Sequence, residues 1–176
     1  MGIAVLVVLG LIIAFVIFVA SRDGKFRYER SGVINASADK IFPFLVSFKL
    51  GSEWSPFEKV DPKMKKTYSG TDGAVGSTME FEGNRDAGSG KLELLAMVPN
   101  KSVDIRLTMI KPIQGDNLVQ YKLTPEGNGT LFTWTMSGNG GFMGKLMVVL
   151  IDCDKMIGDQ FVAGIANLKT IVEAQK

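Results

Sequence analysis

The side chains able to carry chemistry in this chain are few, and their types narrow what that chemistry is. There is no histidine among the 176 residues. That removes the one side chain whose unperturbed pKa lies near neutrality, and with it any Ser-His or Cys-His nucleophile pair. The single cysteine, Cys153, stands between Asp152 and Asp154 in the tightest acidic cluster. Consecutive residues on a helix do not face one another, so these acids read as a helix start and Cys153 as a small core residue. A general acid or base would have to be Glu80, Glu82, Glu93, Asp104 or a tyrosine shifted by burial. In the strand registers set out below, Glu80 and Glu82 face away from Met79 and Phe81, and Asp104 and Arg106 face away from Ile105. They read as solvated strand faces, and only a one-residue slip would turn them inward. No catalytic residue, metal ligand or cofactor is assigned.

The elements that position these residues show in the hydrophobic period. Phe26 to Ile34 predicts a first strand, with Phe26 and Tyr28 on one side and Arg27 and Glu29 on the other. Ser37 is a helix N-cap candidate, followed by Ile41, Phe44, Leu45 and Phe48 at helical spacing in one short helix that Pro43 and Gly51 limit. Period-two alternation then predicts six antiparallel strands at 64–69, 77–82, 89–98, 102–110, 117–124 and 130–138. Pro99-Asn100, Gly115-Asp116-Asn117 and Gly127-Asn128-Gly129 are the expected turns. Ile157, Phe161, Ile165, Leu168 and Val172 form one stripe along a final helix of about five turns, capped by Asp152 or Asp154. Phe142–Ile151 is apolar but too short to span a bilayer; it reads as a packed helix or as a lid touching the membrane. A seven-stranded antiparallel sheet wrapped around the long C-terminal helix buries every apolar face.

The N-terminus is of another kind. Gly2–Ala20 holds no charged residue and no Asn, Gln, Ser or Thr. As a helix it rises about 28 Å, close to the roughly 30 Å of bilayer hydrocarbon. A single segment in lipid must be helical to pair its own backbone groups. A cleaved signal peptide would want a basic start and a shorter apolar core, and Leu6 is wrong for myristoylation. Residues 1–21 are therefore expected to be an uncleaved transmembrane anchor.

Charge adds an orientation. Arg22, Lys25, Arg27 and Arg30 follow the apolar segment and no Lys or Arg precedes it, so the domain is expected on the cytoplasmic side. Residues 22–30 form a basic juxtamembrane stretch running into the first strand, placed where anionic headgroups would be. Of the chain's 20 basic and 18 acidic residues, removing these four and Asp23 and Glu29 leaves sixteen of each. A neutral domain excludes the basic excess that nucleic-acid binding requires. Lys59, Lys63, Lys65 and Lys66 read as a solvated loop and strand start rather than a headgroup patch.

The element order and many short stretches resemble the START-like (SRPBCC) superfamily, and within it the polyketide cyclase/dehydratase and lipid-transport family. The stretches include Glu29-Arg30-Ser31, Ile34-Asn35-Ala36, Glu53-Trp54-Ser55-Pro56, Tyr68-Ser69-Gly70, Glu82-Gly83-Asn84 and Gly88-Ser89-Gly90. Lys111-Pro112, Trp134-Thr135-Met136-Ser137-Gly138, Phe142-Met143-Gly144-Lys145 and Gly164-Ile165-Ala166-Asn167-Leu168 continue it, so it covers 26–176. The resemblance implies an α+β helix-grip fold with an apolar cavity between the sheet and the long helix. Such a cavity would be lined by Met79, Phe81, Leu92, Leu94, Ile105, Leu107, Met109, Tyr121, Phe132, Trp134, Met136, Phe161 and Ile165. The methionines suit a surface that adapts to variable apolar shapes, or fill gaps in a solid core. The expected function is a membrane-anchored binding protein or carrier for an apolar small molecule or lipid. The alternatives are a cyclase/dehydratase-type enzyme on a lipophilic substrate and a non-catalytic membrane-tethered scaffold.

Overall fold

Where apolar and polar residues alternate cleanly, the chain forms strands, and where the period lengthens to three and four it forms helices. The computed structural model describes residues 2–175; Met1 and Lys176, the outermost residues of the expected anchor and domain, lie outside them. The first helix is α1 (Gly2–Ala20), followed by strand β1 (Lys25–Ile34). Helices α2 (Ala38–Val46) and α3 (Phe48–Trp54) come next, then a short 3-10 turn at Pro56–Lys59. Six strands follow: β2 (Lys65–Ser69), β3 (Thr78–Glu82), β4 (Ser89–Val98), β5 (Ser102–Lys111), β6 (Gly115–Glu126) and β7 (Gly129–Asn139). Helices α4 (Gly141–Leu150) and α5 (Cys153–Ala174) end the chain.

The seven strands form one antiparallel sheet in the order β1-β7-β6-β5-β4-β3-β2. A bulge between Leu94 and Ala96 shifts the β4–β5 register and adds to the local twist. Helix α5 lies across the concave face, with Phe161, Ile165, Leu168 and Val172 buried against it. Two glycines let it come close. A Cβ on Gly164 would fall 2.6 Å from Trp134 Cζ3, and one on Gly158 would overlap the Arg30 guanidinium.

Three local expectations are corrected. The single helix limited by Pro43 and Gly51 is two helices, with Pro43 inside α2 and Gly51 inside α3. The break falls at Ser47, whose hydroxyl accepts from Leu50 N–H and donates to Asp72 Oδ2 at 2.6 Å. Asp72 also accepts from Phe48 N–H at 2.9 Å, so a residue far along the chain supplies the cap. Gly115-Asp116-Asn117 is not a turn; it begins β6, and the chain reverses over 112–114.

The third correction concerns Arg30. It lies on the concave side of β1 and donates from Nη2 to Asp154 Oδ2 (2.9 Å) and to the Asp154 carbonyl (3.0 Å), and from Nη1 to Asp154 Oδ1 (3.2 Å). It is engaged by Asp154 and ties the first strand to the start of the last helix. Asp152 is the cap that the sequence left open, accepting from Lys155 N–H at 2.9 Å.

Candidate functional site

The registers set which residues share the concave face. Tyr28, Met136, Val119 and Ile105 lie in one cross-strand row, and Arg30, Trp134, Tyr121 and Val103 in the next. Met79, Leu92, Leu107 and Asn117 form a third row towards the opposite end of the strands. Phe81, paired with Gly90, and Met109 lie beyond it. All the cavity-lining candidates on strands thus fall on one face, and Phe161 and Ile165 meet that face from α5.

Their burial divides them. Met79, Leu94, Ile105, Phe132, Trp134, Phe161 and Ile165 are buried, whereas Phe81, Leu92, Leu107, Met109, Tyr121 and Met136 keep part of their surface. At the β6–β7 end, α3 brings Trp54 into the sheet's hollow. Its ring lies 5.2 Å from Trp134, 5.9 Å from Tyr121 and 6.1 Å from Phe132, each edge-on. Phe161 stacks flat on Trp134 at 4.2 Å. These offset and edge-to-face geometries are the favoured ones for aromatic rings. Trp54 Nε1–H donates to the Phe44 carbonyl at 2.9 Å. The Trp134 Nε1–H is buried with no partner among the described residues, a costly state for a donor.

At the β3–β5 end no helix ring fills the hollow. Phe81 lies over Gly90, where a Cβ would sit 2.8 Å from its Cζ. Phe81, Leu92, Leu107 and Met109 keep part of their apolar surface at this end. Lys66 on β2 closes its edge by pairing with Glu58 and donating to Ser52 Oγ at 3.1 Å.

Two clefts lie outside these residues. One, of about 430 Å³, is lined by Tyr28 and by Val148–Asp154 at the α4–α5 junction. The other, of about 450 Å³, lies between Glu82–Ser89 and Lys111-Pro112. Tyr28 was visible as an inward residue of the first strand, but nothing in its own spacing pairs it with Cys153. Trp54 stands out in sequence as part of a motif, without a sign that it enters the hollow.

Burial and hydrogen-bond partners shift several ionisable groups on and beside this face. Burial, with Cys153 and Asp154 adding to it, pushes the Tyr28 phenol up to about 12, and burial alone raises Tyr121. Both phenols stay protonated at neutral pH. The Glu29 carboxyl is held below its usual range by hydrogen bonds from Arg27 and Thr135, and Asp154 by Arg30. Glu80 and Glu82 are exposed on the convex side, Glu93 pairs with Arg106 at 3.5 Å, and Asp104 accepts from Gln120 Nε2 at 3.1 Å.

A seven-stranded antiparallel sheet gripping a long C-terminal helix defines the helix-grip class of domain. The chain belongs to the polyketide cyclase / dehydrase and lipid transport family, whose model matches residues 25–173. Solved structures agree on the fold. A protein of Mesorhizobium loti is 17% identical with a TM-score of 0.64, covering 86% of this chain and 99% of its own. One from Colwellia psychrerythraea, solved in solution as a dimer, is 20% identical with a TM-score of 0.60, over 86% and 98%. A Chromobacterium violaceum protein is 16% identical with a TM-score of 0.59, over 85% and 97%. No curated protein matches the sequence. The matched region begins after α1, the one helix among the described residues long and apolar enough to cross a membrane.

Proposed function

We propose that this protein is a membrane-anchored binding protein or carrier that holds an apolar small molecule or lipid over the concave face. The observation that carries the reading is the partly exposed apolar surface of Phe81, Leu92, Leu107 and Met109 beside a sealed aromatic end. A ligand burying about 200 Å² of apolar surface there would gain about 5 kcal/mol at 25 cal/mol per Å², before the cost of association. The thirteen lining residues are assigned on this basis, with the sealed ones as floor and wall. Family membership adds that apolar small molecules are the expected ligand class.

Helix α1 is read as the span, with the domain on the cytoplasmic side. Discounting Arg30, which Asp154 engages, still leaves Arg22, Lys25 and Arg27 after the helix and no basic residue before it. A tether of this kind holds the domain where lipophilic ligands dissolve.

Native mass spectrometry of the detergent-purified full chain is expected to show a retained apolar adduct. A bare mass, with no displacement of 1-anilinonaphthalene-8-sulfonate by added lipids, would leave only a scaffold role. A proton-transfer enzyme on the same face is the second reading, favoured by Tyr28 in its cleft beside Cys153 and Asp154. There the phenol would donate to a substrate oxygen, and Tyr28→Phe would lower turnover of a lipophilic carbonyl substrate while leaving its binding intact.

A further inference from the structure

Helix α4 is apolar around nearly its whole circumference, with Lys145 as its one charged residue, yet none of its residues is buried. A helix apolar on all sides normally lies inside something. Phe142, Met143, Val148, Leu150 and Ile151 are 42–63% exposed and fall within ten consecutive residues. Val75, Val98 and Ile110 are exposed without such a run of apolar neighbours along the chain, which is ordinary for a protein surface.

The position of α4 says what covers it. Lys145 Nζ donates to the carbonyl of Ala20, the last residue of α1, at 2.8 Å. Gly140 N–H donates to the Gly24 carbonyl at 3.0 Å, so α4 starts beside the linker that leaves α1. Helix α1 has no basic residue in its own last turn; Lys145 supplies the cation that an exposed helix C-terminus favours. Helix α4 thus lies within one hydrogen bond of the end of α1.

We infer that α4 and the α4–α5 junction are seated in the headgroup and acyl boundary of the leaflet from which α1 emerges. The inference rests on the reading of α1 as a membrane span. A ten-residue apolar helix is too short to cross and suits an interfacial seat, with its side chains about 5–10 Å into that boundary. Two consequences follow. The domain stands on two helices and has one orientation at the membrane. The Tyr28 cleft, whose wall is Val148–Asp154, opens at the lipid surface.

The test uses the full chain in dioleoylphosphatidylcholine nanodiscs at one copy per disc, in a Cys153→Ser background. A nitrobenzoxadiazole label is placed at Val148→Cys, Ile13→Cys or Asn128→Cys. Asn128 is the reference, because it lies beyond the far end of β7, about 33 Å from α4 at strand rise. Lipids with a shallow acyl spin label are expected to quench position 148 at least about threefold more than position 128, and deep-labelled lipids to quench position 13. Quenching at 13 with 148 no stronger than 128 overturns the seating of α4 and leaves the anchor standing. Absence of quenching at both 13 and 148 overturns the anchor reading and the seat with it. A position 148 shielded from iodide but not quenched by lipid also overturns the seat, because another protein surface then covers α4.

Discussion

At the β6–β7 end of the concave face, Trp54, Tyr121, Phe132, Trp134 and Phe161 pack within 4.2–6.1 Å of ring neighbours. At the β3–β5 end, Phe81, Leu92, Leu107 and Met109 come from equally apolar strands but keep part of their surface. The difference comes from above the sheet. Helix α3 delivers Trp54, and α5 delivers Phe161 through the close approach at Gly164, whereas no ring from a helix lies over Phe81. One sheet thus holds a solid core and a partly exposed end, and strand composition alone does not separate them.

The comparison is broken most directly at the sealed end. Phe132 has no exposed surface, so Phe132→Ala is expected to lose about 3–5 kcal/mol, read from denaturant unfolding in detergent. The open end should behave in the opposite way. Leu107→Asp is expected to weaken 1-anilinonaphthalene-8-sulfonate binding tenfold or more, about 1.4 kcal/mol, while stability changes by less than about 1.5 kcal/mol. If instead the protein unfolds and the probe still binds the folded fraction, this end is core. Ser47→Ala removes the cap of the helix that presents Trp54, at about 1 kcal/mol. If that end is sealed by α3, the loss is accompanied by a change in tryptophan fluorescence. Trp134→Phe deletes the unpartnered indole N–H at the cost of some ring, and stability should move by no more than about 1 kcal/mol.

The smallest effect concerns pH. Arg30 lowers the pKa of Asp154 in the folded state, so that contribution is present above the usual carboxylate range and is lost as pH falls through the lowered value. Arg30→Met should reduce stability at pH 7 and flatten its decline below about pH 4, measured by thermal unfolding across pH.

These contrasts mark what could be read from residues alone. The strand at 89–98 has the boundaries that its alternation and flanking turns predict, and the α5 stripe is buried from Phe161 to Val172, with Ile157 partly exposed. Local period suffices there because each strand meets one core. The break at Ser47 is invisible locally, since its partner Asp72 is 25 positions on. Arg30 counts as one more juxtamembrane cation until the fold brings Asp154 to it across 124 positions. The eleven candidates on strands share a face as registered, but which of them are sealed depends on helices whose docking no strand period encodes.

The pairing of β1 with β7 bears on how the chain is made. Strand β1 leaves the ribosome directly after α1, yet its only sheet neighbour begins at Gly129 and its covering helix ends at Ala174. About a hundred residues must be synthesised before the first strand finds a ladder, and contacts that distant in sequence form slowly. During that interval a strand with Phe26, Tyr28 and Ile34 on its inner face follows α1 in the chain without its ladder partner. Folding of this domain therefore closes by joining its first strand to its last.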